Sequence, residues 1–252
     1  MVPKGDEGNV NGFAVSSWVN PVSAIIGILL VTAAGVFLFA SPASAEPSFD
    51  CAKAGSAVEK ALCLPENENA AFRDTVLAGL YKDMKEQGGY EDILAGQSQW
   101  LKSRNVCGGN VDCLVKSYDA RIAELAKAAG DETGVTGSYA YDIEYDPEDP
   151  NTEPFSNVGD AFVYRDLAGE LNGYISTVSG PTFHTCDVGI EEAEAMGDAW
   201  LFTDTEEYKD FEGRLCRVLI RQDKQSLRID SIGCGSWCGA RGYFDNTYAK
   251  NK

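Results

Sequence analysis

The sequence predicts an α+β protein in two domains: a small disulfide-stapled bundle of four helices, followed by a small antiparallel all-β domain. Three observations carry this prediction. Apolar residues recur about every four positions before residue 130 and every two afterwards. The polar stretch Gly130-Asp131-Glu132-Thr133-Gly134 separates the two patterns. All eight cysteines lie after residue 50, an even number suited to disulfides made outside the cytosol. The expected divisions are an N-terminal segment 1–45, a helical domain 46–130 and a β domain 131–252.

The N-terminal segment sets the address. Val22 to Ala40 is apolar and is followed by Ser41-Pro42-Ala43-Ser44-Ala45. Ala43-x-Ala45 suits signal-peptidase cleavage after Ala45, which yields a periplasmic or extracellular protein. Left uncleaved, residues 22–40 at about 1.5 Å each approach the roughly 30 Å of a bilayer core, an inner-membrane anchor. No cysteine stands at the cleavage position, which argues against a lipoprotein.

Helices come next. Ser56-Ala57-Val58-Glu59 reads as a capping box opening a short helix that Pro65 stops. A second helix spans about residues 66–86, with Phe72, Val76, Leu80 and Met84 as its buried stripe. A third covers about 90–105, with Ile93, Leu94, Gln97, Trp100, Leu101 and Arg104 on one face. Asn110 or Asp112 caps a fourth, which buries Leu114, Tyr118, Ile122 and Leu125. A bundle this small needs cross-links. Cys51, Cys63, Cys107 and Cys113 allow three pairings. Bonds from the first two to the last two are preferred, because they would pin the short helix to the long hairpin. Their spacing fits no zinc ribbon or finger.

After residue 134 the reading is of strands. Tyr139, Tyr141, Ile143 and Tyr145 alternate with polar residues. Asp146 to Pro154 is an acidic, proline-punctuated loop without the glycine and closing glutamate of an EF-hand. Further strands fall near 160–164, 170–178, 182–192, 199–203, 214–222 and 226–232, with a final edge strand after Gly242. Alternation puts His184, Cys186, Val188 and Ile190 on one inward face, and Cys216, Val218 and Ile220 on another. A Cys186–Cys216 bond is therefore expected, with Cys234 and Cys238 closing a local loop. The nested alternative, Cys186–Cys238 with Cys216–Cys234, stays open.

The phrases Phe49-Asp50-Cys51, Val58-Glu59-Lys60-Ala61-Leu62-Cys63, Gln99-Trp100-Leu101-Lys102-Ser103-Arg104-Asn105-Val106-Cys107 and Tyr118 to Leu125, in that order, resemble the LprI-type N-terminal domain of secreted bacterial proteins. The family is named for a lysozyme inhibitor, and the resemblance covers about residues 49–127. It implies protection of the cell envelope by binding lysozyme, a cationic hydrolase. The β half is similar to an extension carried by some relatives, for which no activity is implied.

Charge bears on the partner. The chain carries a formal −18. Residues 46–130 hold 10 Lys/Arg and 13 Asp/Glu, whereas residues 131–252 hold 10 and 24. Such a surface lacks the clustered cations that nucleic acid needs, and it attracts cationic proteins. Any steering of a cationic partner should come mostly from the β half.

Catalysis has little to draw on. His184 is the single histidine, eight bonded thiols leave no nucleophile, and no phosphate loop, serine-nucleophile motif or metal motif appears. The expectation is a non-enzyme without cofactor or metal. Trp100 and Arg104, four apart on one helix, can stack, and Glu59 can offer Arg104 a carboxylate. That trio either locks the first helix to the third or forms a partner contact. Arg241, flanked by Gly239-Ala240 and Gly242, is a further contact candidate. The second reading is a non-catalytic envelope scaffold or adaptor.

Overall fold

Ser56 starts the first helix by accepting from the Glu59 N–H, while the Glu59 carboxylate accepts from Ser56 N at 2.8 Å. The computed structural model describes residues 46–146, 154–205, 209–210, 212–238 and 242–251. The signal or anchor segment, the loop at 147–153 and Arg241 lie outside the described residues.

The helical part comprises α1 (Ala57–Leu62), α2 (Glu68–Gln87), α3 (Glu91–Ala95), α4 (Gln97–Asn105) and α5 (Val111–Ala128). The single helix expected at 90–105 is thus two, meeting at Gly96. Arg121 of α5 supports the junction, donating to the Ile93 carbonyl at 2.9 Å and to Gln97 Oε1 at 3.0 Å. Asn110, not Asp112, caps α5, accepting from Cys113 N at 2.9 Å. Val76, Leu80 and Met84 of the expected stripe of α2 are buried, and the buried face extends to Arg73 and Leu77. Phe72 is only partly buried.

The β half overturns the expected fold class. Strands β1 (Gly137–Tyr145), β2 (Phe155–Arg165), β3 (Leu171–Ser179), β4 (His184–Met196), β5 (Ala199–Thr203), β6 (Arg217–Asp223), β7 (Ser226–Ile232) and β8 (Asn246–Lys250) form a closed antiparallel barrel in sequential order. The last strand is no edge. It pairs with β7 along Asn246–Ala249 and with β1 at Tyr139 and Ala140. Closure satisfies both rows of backbone groups that an open sheet would expose. Inward residues, among them Tyr139, Ile175, Val188, Ile220, Ile229 and Tyr248, fill the interior.

The barrel and the helices each have their own hydrophobic cluster, and the helical one reaches onto the barrel. Phe162, outward on β2, is buried in the helical cluster, and Phe72, Tyr164 and Tyr174 pack around it. Pro42–Lys252 accordingly form one compact unit. Arg73 fixes the junction. It is 2% exposed, pairs with Asp119 of α5, donates to Ser138 Oγ of β1 at 2.6 Å and lies 4.2 Å from the Phe162 ring. The segment between helix and strand is held as firmly. Asp131, 4% exposed, accepts from Thr136 N at 2.9 Å and Val135 N at 3.2 Å. Burial alone would raise its pKa, but these bonds outweigh that and hold the carboxyl below its usual range.

All eight cysteines are bonded: Cys51–Cys63 and Cys107–Cys113 depart from the preferred pairs, while Cys186–Cys238 and Cys216–Cys234 are the nested alternative rather than the preferred one. In the helical part each bond closes a local loop. Helix α1 docks instead through buried Val58, Ala61 and Leu62. In the barrel the reason is strand order. Strand β5 lies between β4 and β6, and two steps of about 4.8 Å exceed the reach of a disulfide, whose Cα atoms stay within about 7 Å. Strand β5 is also short. Beyond its end the segment 234–238 runs beside β4, bridging Cys186 to Cys238.

Candidate functional site

The outer face of β4 is where the barrel concentrates carboxylates, and a β-bulge puts them there. Leu171 of β3 pairs with Ala193 and Gly173 with Ile190, so Asn172 alone stands opposite Glu191 and Glu192. Two residues against one breaks the strict alternation. Ile190 and Ala193 stay inward, while Glu191, Glu192 and Glu194 are all exposed. Glu192 adopts a φ of 50°, and its N–H donates to Asn172 Oδ1 at 2.8 Å, which fixes the bulge.

These glutamates edge a groove of about 500 Å³ whose other wall is formed by Leu201, Asp204 and Trp237. Trp237 is held by the adjacent Cys186–Cys238 bond, by its carbonyl, which accepts from Asp187 N at 3.2 Å, and by its indole N–H, which donates to Asp204 Oδ2 at 2.9 Å. The electrostatics are one-sided. Desolvation and then the charges of Asp166, Glu192 and Glu194 push the neighbouring Glu170 carboxyl up. A groove with carboxylates on one side and an indole on the other suits a lysine or arginine side chain.

A larger cleft of about 670 Å³ lies between the helices and the barrel. Of the charges that line it, Arg73 is engaged with Asp119 and Ser138, and Lys250 with the Thr136 carbonyl at 2.8 Å.

The expected trio is held together unequally. Trp100 and Arg104 come together, the guanidinium 5.5 Å from the indole ring. Glu59 accepts from Gly55 N and Ser56 N rather than from Arg104, and these bonds, with a smaller contribution from the Arg104 charge, hold its carboxyl below the usual range. The carboxylate near Arg104 is Asp74, at 3.7 Å. Tyr118 links the two, accepting from Arg104 at 2.7 Å and donating to Asp74 at 2.6 Å. His184 does lie on the inward column of β4. It sits at the barrel mouth rather than in the core, half-buried, its Nε2 2.7 Å from Thr182 Oγ1.

Sequence reasoning missed Arg73, Asp119 and the bulge. Arg73 had a signal: it falls at i, i+4, i+7 and i+11 with Leu77, Leu80 and Met84, an arginine on an apolar stripe. Among the described residues no helix is long and apolar enough to cross a membrane. No protein-family model, curated protein or solved structure matches this chain.

Proposed function

We propose that the protein is an exported, non-catalytic binding protein that captures a strongly cationic partner on the outer face of β4, with lysozyme as the first partner to test. The observation that carries this reading is the bulge. It sets Glu191, Glu192 and Glu194 on one face beside Trp237, in the half of the chain holding 24 of the acidic residues and 10 of the basic ones. The resemblance of residues 49–127 to the LprI-type domain supports the choice of lysozyme. Four disulfides suit an oxidising compartment.

Capture here means occlusion. Long-range attraction raises the encounter rate, and the groove then holds lysine or arginine side chains against its carboxylates and indole. The test mixes residues 46–252 with lysozyme and peptidoglycan and follows lysis. Slower lysis at micromolar protein is expected. An unchanged lytic rate removes the inhibitor reading for that lysozyme and leaves the envelope scaffold or adaptor.

A further inference from the structure

At one end of the barrel, strands β1 and β2 outlast their neighbours. They pair as far as Tyr145↔Phe155, whereas β3 pairs with β2 only from Val158 onward and β8 meets β1 only at Tyr139 and Ala140. The ribbon that projects carries on the inward columns of both strands, so Tyr145 and Phe155 continue the line of core residues beyond the ends of β3 and β8. Tyr145 is 50% exposed, and the two rings lie 4.9 Å apart. Tyr141, packed edge-on against Tyr248 at 4.8 Å, closes the barrel interior beneath them.

The turn from β3 to β4 forms the opposite lip, and Asn157 ties it to the ribbon. Its Oδ1 accepts from Gly180 N at 2.7 Å, and its Nδ2 donates to Tyr243 Oη at 3.3 Å. Between the lips is a cup of about 240 Å³, bounded by Phe155 on the ribbon and Pro181 on the turn. In a domain this acidic its lining is unusual: among the described residues no Asp, Glu, Lys or Arg contributes to it.

Ser179 lines this cup, at the end of the inward column of β3, and is 2% exposed. Its Oγ has no hydrogen-bond partner among the described residues. A buried hydroxyl left unpaired loses its hydration without compensation, and native proteins seldom leave one so. Half-exposed aromatic walls around it leave apolar surface in water as well. One ligand would answer both deficits.

We infer that the cup binds a single uncharged aromatic ring bearing one hydroxyl, the ring held against Phe155 and Tyr145 and the hydroxyl bonded to Ser179 Oγ. The volume admits one ring and is below the roughly 300–1,000 Å³ that larger ligands occupy. The predominance of apolar and aromatic side chains among the described lining residues selects against polyols and favours a ring. This site is separate from the β4 groove, and its test does not depend on a protein partner.

The probe is p-cresol, added to residues 46–252. The chain's only histidine, His184, lines the cup, so its imidazole proton resonances report occupancy. Saturable shifts are expected with a Kd on the order of 1 mM, by the efficiency of small ligands. Ser179→Ala should weaken p-cresol about 5-fold, the size of one neutral hydrogen bond, and leave toluene unaffected. Phe155→Ala should weaken both. Acetyl-Gly-Tyr-Gly-amide identifies the source of the ring: binding as tight as p-cresol points to a tyrosine side chain of a protein, and exclusion of the peptide to a free small molecule. No His184 shift at about 20 mM p-cresol, twentyfold above that Kd, would overturn the inference. So would equal shifts from methyl glucoside, or an unaltered p-cresol affinity in Ser179→Ala.

Discussion

Arg73 of α2 and Asp119 of α5 form an ion pair in which the guanidinium is 2% exposed and the carboxylate also accepts from Ser138 of the barrel at 2.6 Å. A charge this deep is tolerated because every side of it is answered: Asp119, the Asn69 carbonyl, Ser138, Tyr174 and the face of Phe162. It is the point at which helices and barrel become one structure. Arg73→Leu should cost about 3–5 kcal/mol, because it strands the Asp119 carboxylate. Arg73→Leu with Asp119→Leu should cost less than the single change. Urea titrations of both variants check this, and a single change below about 1 kcal/mol, the size of an exposed pair, would contradict it.

The segment from α5 to β1 is predicted to be sensitive to acid. Asp131 has a depressed folded pKa, set by burial that opposes ionisation and by stronger bonds from Thr136, Thr133 and Val135 that favour it. Its contribution is therefore complete above the ordinary aspartate value near 3.9, and is lost as pH falls through the lower folded value. Asp131→Asn should cost about 1–3 kcal/mol at neutral pH. The gap between wild type and variant should close as the medium is acidified into the range where wild-type Asp131 takes up its proton. A gap independent of pH would show that the carboxylate's charge contributes nothing.

The disulfides should rank by the loops they close. Cys186–Cys238 spans 52 residues, and Cys107–Cys113 spans 6. By the chain-entropy relation the first contributes about 4 kcal/mol and the second about 2. Paired serine replacements, compared by thermal melts, should keep that order. The barrel pair should also loosen Trp237, which lies next to Cys238, and so lower affinity for a cationic partner. Loss of the 107–113 bond should leave affinity unchanged.

Much of the local structure was legible before any coordinates. The reciprocal cap of Ser56 and Glu59, the cap by Asn110 and the inward faces of Cys186 and Cys216 follow from residue type and period. Relations between elements were not. A period of two reports which face a residue occupies and not which strand lies beside it, so β5 between β4 and β6, and closure of β8 onto β1, left no trace in any one segment. The bulge at Glu191 and Glu192 has no signal in their own segment, because it is defined by Asn172 on another strand. Phe162 read as one more strand aromatic, although it belongs to the helical core.

The β4 groove rests on charge, so association kinetics test it most directly. The measurement is the association rate of residues 46–252 with lysozyme as a function of ionic strength, for wild type and for Glu191→Gln/Glu192→Gln/Glu194→Gln. The wild-type rate should fall as salt screens the interaction over a Debye length of about 10 Å at 0.1 M. The variant should associate about 10-fold more slowly at low salt and depend less on salt. Equal rates and equal salt dependence for the two proteins would contradict the assignment of the partner to this face.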